Sequence, residues 1–149
     1  MPSPLWIFGT ALTILALGLL LWKGGRPERE AAAGLFIVQL VSGWVDHLVI
    51  GGQFRWAVAA VSVSLLVWFV RLSLRYDRWW LLFAAGAQLL ALGTHVASLF
   101  GSDVLTWSIV TTRMVVWVEI MILGLIGVWE ATSAPYARPR SLSAKSRIA

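Results

Sequence analysis

Residues 104–130 read VLTWSIVTTRMVVWVEIMILGLIGVWE, an apolar run broken inside by two charged side chains, Arg113 and Glu119. About 20 apolar residues cross the hydrocarbon of a bilayer as a helix, so this run spans one with length to spare and would tilt or project. Four further runs lie upstream, at 4–22, 31–50, 54–74 and 79–100. In lipid every backbone N–H and C=O must be satisfied within the segment, so each run is a helix. The alternating polar positions of a membrane barrel are missing. The expected fold is all-α, a bundle of five transmembrane helices filling residues 1–130 as a single domain.

Composition points the same way. Hydrophobic residues make up 59% of the 149 positions and charged residues only 13%. A soluble domain carries about a quarter charged residues, and this chain lacks the polar cover for a water-facing globule. It has no cysteine, which excludes disulfides, thiolate metal sites and cysteine nucleophiles. The net charge of +5 does not imply nucleic acid, because the basic residues flank the apolar runs, where they meet lipid headgroups.

The connections are short. Residues 23–30 hold Gly24, Gly25 and Pro27, which stop one helix and start the next. Residues 51–53, 75–78 and 101–103 form the other turns, so consecutive helices run antiparallel. Lys23, Arg26 and Arg29 mark one face of the membrane, together with Arg71, Arg75, Arg78 and the tail residues Arg138, Arg140, Lys145 and Arg147. The opposite loops carry Arg55 and Asp103. The positive-inside rule therefore places the N-terminus outside and the C-terminus in the cytoplasm. Trp6, Trp56 and Trp107 fall at the outer boundary, and Trp22, Trp68, Trp79, Trp80 and Trp129 at the inner one, where indoles favour the headgroup level. Trp117, at mid-span, is expected inside the bundle. The first run has no basic residues before it and no small-x-small site ahead of Lys23, so it does not read as a cleaved signal peptide. Residues 131–149 are rich in Ser, Ala, Pro and Arg and read as a disordered basic cytoplasmic tail.

Function has to be sought in the polar residues inside the runs. The second holds Gln39, Ser42, Asp46 and His47, the fourth Gln88, Thr94, His95 and Ser98, and the fifth Thr111, Thr112, Arg113 and Glu119. Gln39, Ser42 and Asp46 fall on one helical stripe, and so do Gln88 and His95. Turned inward, they form a polar intramembrane cluster in which Arg113 pairs with Asp46 or Glu119 and the neutral groups bridge helices. That cluster fixes helix register without chemistry. Two functional alternatives compete with it. His47 and His95, the only two histidines, lie at matched depth near the outer face and form a candidate bis-histidine site for a b-type haem, with Gly43 and Gly51 leaving room and Arg55 meeting propionates. Asp46, His47, His95, Arg113 and Glu119 also resemble a proton or ion relay, which would need Gln39, Gln88 and Ser73 to continue it inward. Intramembrane serine catalysis finds no Gly-flanked serine, and Gly24–Gly25 lacks the phosphate-loop pattern, so the chain is expected not to be an enzyme. Small-residue stripes at Gly9 and Thr13 and at Ala84, Ala87, Gln88 and Ala91 permit close helix approach, while Gly86 and Gly93 mark a flat face.

The stretches GRPERE (25–30) and DRWWLLFAAGAQLLALGTHVA (77–97) resemble those of uncharacterised small multi-spanning bacterial inner-membrane proteins. The resemblance covers about the middle half of the chain and implies a multi-pass protein of the bacterial cytoplasmic membrane, with no catalytic residue to carry over. The expected role is that of a small structural or accessory subunit, in contact with lipid and packed in a larger membrane complex or against itself.

Overall fold

The computed structural model describes residues 4–45, 56–97 and 103–133. The chain is all-α, with five helices: α1 (Pro4–Trp22), α2 (Arg26–Val45), α3 (Trp56–Tyr76), α4 (Trp79–Ala97) and α5 (Asp103–Ser133). Trp56–Tyr76, Trp79–Ala97 and Trp107–Ser133 are long and apolar enough to cross a membrane, and α1 is apolar over Ile7–Trp22. Together they point to a multi-pass membrane protein in contact with lipid. The turns expected at 51–53 and 101–103, and the tail beyond Ser133, lie wholly or largely outside the described residues.

Two helix boundaries differ from the sequence expectation for local reasons. The connection placed at 23–30 is shorter, because α2 already starts at Arg26. Pro27 sits in its first turn, where a missing N–H costs nothing, and Glu28 faces the positive end of the helix dipole. Gly25 C=O accepts from Arg29 N–H at 3.1 Å and closes that turn. The α3–α4 connection narrows to Asp77 and Arg78. Asp77 adopts a φ of 52°, a left-handed conformation that Asp tolerates better than most residues, and its N–H caps Ser73 C=O at 3.0 Å.

The helices form a ring in chain order, closed by α5 packing on α1; α2 touches α5 only lightly. The core joins Ala16 and Leu20 of α1, Ala31, Ala32 and Leu35 of α2, Leu65, Phe69 and Leu72 of α3, Trp80, Leu81, Ala84, Ala85 and Ala87 of α4, and Val116, Ile120, Met121, Leu123 and Val128 of α5. Lipid is as apolar as this core, so close packing rather than burial from water holds the ring together. Small residues provide it. The Ala84, Ala87 and Gln88 stripe is buried as expected, and indole rings lie on glycine where a side chain would collide. A Cβ at Gly127 would come within 2.5 Å of Trp80, and one at Gly34 within 2.6 Å of Trp68.

Two tryptophans expected at the inner headgroup boundary have other roles. Trp80 is 0% exposed, a core residue against Gly127. Trp68 is half-buried and donates Nε1–H to Glu30 C=O at 3.2 Å. Trp22, Trp56, Trp79, Trp107 and Trp129 are exposed. Trp117 packs between helices as expected, donating Nε1–H to Thr13 Oγ1 at 3.0 Å. Thr13 in turn donates to Gly9 C=O at 2.8 Å, so the Gly9–Thr13 stripe faces α5.

Candidate functional site

Three helices meet at an interior polar cluster in the half of the bundle that holds the C-terminal part of α4. Gln88 and His95, seven apart, share the inner face of α4 and both are buried. Each turns to Ser62 on α3: Gln88 Nε2 donates to Ser62 C=O at 3.2 Å, and His95 Nε2 lies 3.1 Å from Ser62 Oγ. Arg113 reaches over from α5. Its Nε donates to Thr94 Oγ1 at 2.9 Å and its Nη2 lies 2.9 Å from His95 Nδ1. A guanidinium has donors and no acceptor, so Nδ1 must carry the lone pair. The network thus assigns the ring proton to Nε2, which gives it to Ser62 Oγ. Thr94 passes its own proton to Ala91 C=O at 2.6 Å, which leaves its oxygen free to accept from Arg113.

A second cluster, which the sequence reading did not anticipate, closes the other end of the bundle. Arg78 follows the α3–α4 turn and meets two carboxylates. Its Nη1 donates to Glu130 Oε1 of α5 at 3.1 Å, and its Nε lies 3.9 Å from Glu28 Oε1 of α2. Glu28 is 0% exposed and Glu130 1%. Neither Glu28 oxygen has a hydrogen-bond partner, nor has Glu130 Oε2. Beside this cluster Tyr76 donates its hydroxyl to Glu30 Oε1 at 2.5 Å, tying α3 to α2. Read from sequence, Arg78 is a headgroup-facing topology signal. A sequence clue to the pairing exists: two acids and an arginine sit at span ends that antiparallel packing brings to one level.

The expected site residues therefore separate. Gln88, Arg113 and His95 come together as one cluster. Asp46 and His47 lie outside the described residues. Glu119 does not pair with Arg113: it is exposed on the outward side of α5. Six residues separate the two, about 600° of helical rotation, which puts them some 120° apart around α5. Among the described residues no hydrogen bond or ion pair reaches Glu119. Gln39, on α2, is also exposed, at the rim of a cavity of about 190 Å³ that His95, Arg113 and Ser62 line from within. Glu119 sits mid-way along the Trp107–Ser133 span. A charged side chain held there against lipid costs about 2.5–3.5 kcal/mol, so the position asks for a partner.

The geometry bears on the two chemical alternatives. A haem iron on His95 would have to displace Ser62 or Arg113 from a ring nitrogen. The adjoining cavity, about 190 Å³, is below the ~300–1,000 Å³ of ordinary ligand pockets. For a relay, the polar chain runs toward the Arg78 end as far as Gln88. Beyond it Leu65, Phe69, Leu72, Trp80, Leu81 and Ala84 fill the interior down to the level of Arg78, an apolar layer of roughly 15 Å at 1.5 Å per residue. The described residues contain no group of three or more His, Cys, Asp or Glu placed to hold a metal ion.

No family model matches this chain, and no curated protein or solved structure matches it either.

Proposed function

We propose that this protein is a non-enzymatic subunit of a membrane assembly, built as five spans in the bacterial cytoplasmic membrane with its N-terminus outside and its C-terminus in the cytoplasm. The observation that carries this reading is the division of its polar residues. Inside the bundle they are spent on each other: His95 on Ser62 and Arg113, Arg113 on Thr94, Gln88 on Ser62, Trp117 on Thr13. On the outside the Glu119 carboxyl faces lipid in mid-helix, and among the described residues no hydrogen bond or ion pair reaches it. Intramembrane polar groups of that kind bind other helices. An interior polar cluster locks the bundle, and the exterior Glu119 carboxyl serves association.

The orientation rests on the basic residues of the 23–30 and 75–78 connections. The shared Glu28–Arg78–Glu130 contact supports placing those connections at one end. Blue-native electrophoresis of membranes extracted in mild detergent tests the role. The chain is expected in a species well above the 16.4 kDa of one copy. A lone monomer across extraction conditions overturns the reading.

A further inference from the structure

Arg71 sits inside a span and on its outer side. It lies five residues before Tyr76, the last residue of the Trp56–Tyr76 span, so its backbone is roughly 7.5 Å inside the helix end. The side chain is exposed, and among the described residues no hydrogen bond or ion pair reaches it. Arg75, also exposed, follows one turn later on the same face. Its guanidinium lies over the Tyr76 ring, 5.4 Å from the centroid, and among the described residues no carboxylate pairs with it. The arginines turned into the bundle differ. Arg78 ends on Glu28 and Glu130, and Arg113 on Thr94 and His95.

The two guanidiniums close one end of a hollow of about 610 Å³ on the outer face of α3, and Leu66, Val67, Val70 and Leu74 make the rest of its wall. Val67, Val70, Arg71 and Leu74 repeat at three, four and seven and so form one stripe. Val67 is 60% exposed and Leu74 83%, so the bundle itself does not cover that stripe. The hollow is thus apolar toward mid-membrane and carries two positive charges toward the helix end. That polarity matches an amphiphile lying along the helix, its anionic head at the arginines and its hydrocarbon on the valines. A guanidinium on the lipid side of a span is costly unless its stem carries the charge outward to an anion. Like charges one turn apart also repel each other, and an anion between them removes that penalty. Guanidinium forks fit the oxygens of a phosphate.

We propose that this hollow on α3 binds an anionic phospholipid, its phosphate between Arg71 and Arg75 and an acyl chain along Val70 and Val67. The site goes beyond the reading of the protein as an assembly subunit and does not depend on it. Charge complementarity decides the occupant. An apolar helix packed here would cover the valines and leave two cations in its interface. A zwitterionic headgroup would bring a cation of its own to them. General attraction of anionic lipid to the basic end of the bundle needs no hollow and would not single out these two residues.

Native mass spectrometry of the full chain in mild detergent, titrated with phosphatidylglycerol or with phosphatidylcholine of the same acyl chains, counts the lipid retained. Phosphatidylglycerol is expected to be retained in preference. Arg71→Gln and Arg75→Gln are each expected to weaken its retention about fivefold, the scale of one basic residue at an anionic surface. Both side chains are exposed, so helicity by circular dichroism is expected to be unchanged. Lys23→Gln is the charge-matched control. Lys23 follows α1, which does not touch α3 among the described residues, so retention should stay as it is. Inorganic phosphate has no chain to lie on Val67 and Val70 and should not displace the lipid. Equal retention of the two lipids by the unaltered protein overturns the site, and so does an equal loss with Lys23→Gln. Release by phosphate overturns the lipid as occupant. Oligomers that form in phosphatidylcholine alone and break up with Arg71→Gln would give the hollow to a second copy and overturn it too. Blue-native migration decides the subunit reading separately.

Discussion

Replacing Arg78 should separate what each acid of its cluster contributes. Arg78→Ala leaves Glu28 and Glu130, 0% and 1% exposed, without the cation both of them meet. Removing one partner of a buried ion pair costs about 3–5 kcal/mol, because the remaining charge stays buried and uncompensated. The two acids are not equivalent. Glu130 accepts a hydrogen bond at 3.1 Å, whereas Glu28 lies at 3.9 Å with both oxygens lacking hydrogen-bond partners. Attraction scales inversely with distance, which gives Glu130 roughly a quarter more of it, and the charged hydrogen bond adds about 1.5–3 kcal/mol. With both acids charged, one cation between them leaves the cluster with net charge −1. Glu28→Gln removes that excess at little loss of contact, so it should be neutral or stabilising. Glu130→Gln should cost about 1.5–3 kcal/mol. In the Arg78→Ala background, Glu28→Gln should recover part of the loss. Reversible unfolding by SDS titration in mixed micelles, followed by far-UV circular dichroism, gives these differences. If Glu28→Gln costs as much as Glu130→Gln, or Arg78→Ala costs less than about 1 kcal/mol, the assignment of roles fails.

Three further outcomes follow from single contacts, each measured by the same titration. His95→Ala removes one acceptor of Arg113 and the partner of the Ser62 hydroxyl and is expected to cost about 1–3 kcal/mol, with His95→Gln recovering part by offering a carbonyl to the guanidinium. Gly127→Ala places a methyl within 2.5 Å of Trp80 and is expected to cost about 1–3 kcal/mol; full tolerance would show that the indole is free to move. Trp117→Phe loses the bond to Thr13, an interhelical contact worth about 0.6 and at most ~1.7 kcal/mol, so a larger loss would mean that ring packing dominates there.

The helices were legible from apolar run length alone, because lipid permits no other backbone solution for such runs. The pairing of Gln88 with His95 was legible too, since an offset of seven returns to the same face; both turn to Ser62. The contact between Arg113 and His95 was not. It depends on the relative rotation of α4 and α5, which no periodicity within one helix encodes. Glu119 was misread because all charges within the runs were turned inward together, although six positions from Arg113 it cannot share that face. The Arg78 cluster was hidden by the positive-inside rule, which treats span-end arginines as solvated. A rule about orientation says nothing about whether an acid waits at the same level on the neighbouring helix. Trp80 was misassigned for the same reason: position along the span places an indole at headgroup depth but not on the lipid side.

The two ends of the molecule divide the work of stability and register. Ser62, His95, Thr94 and Arg113 bind α3, α4 and α5 to one another. The Arg78 cluster joins α2 to α5, two helices that otherwise touch only lightly. Loss of the joint should therefore free α2 while the contacts among α3, α4 and α5 persist. Arg78→Ala, studied where it remains folded, is expected to speed backbone amide exchange along the Arg26–Leu35 part of α2 at least about tenfold. His95→Ala serves as the control, because the contacts it removes lie on α3 and α5. If both substitutions speed exchange along α2 in proportion to their stability loss, the ion cluster plays no special part in holding it. If Arg78→Ala does so while His95→Ala of similar stability does not, the cluster is what fixes α2 in the ring.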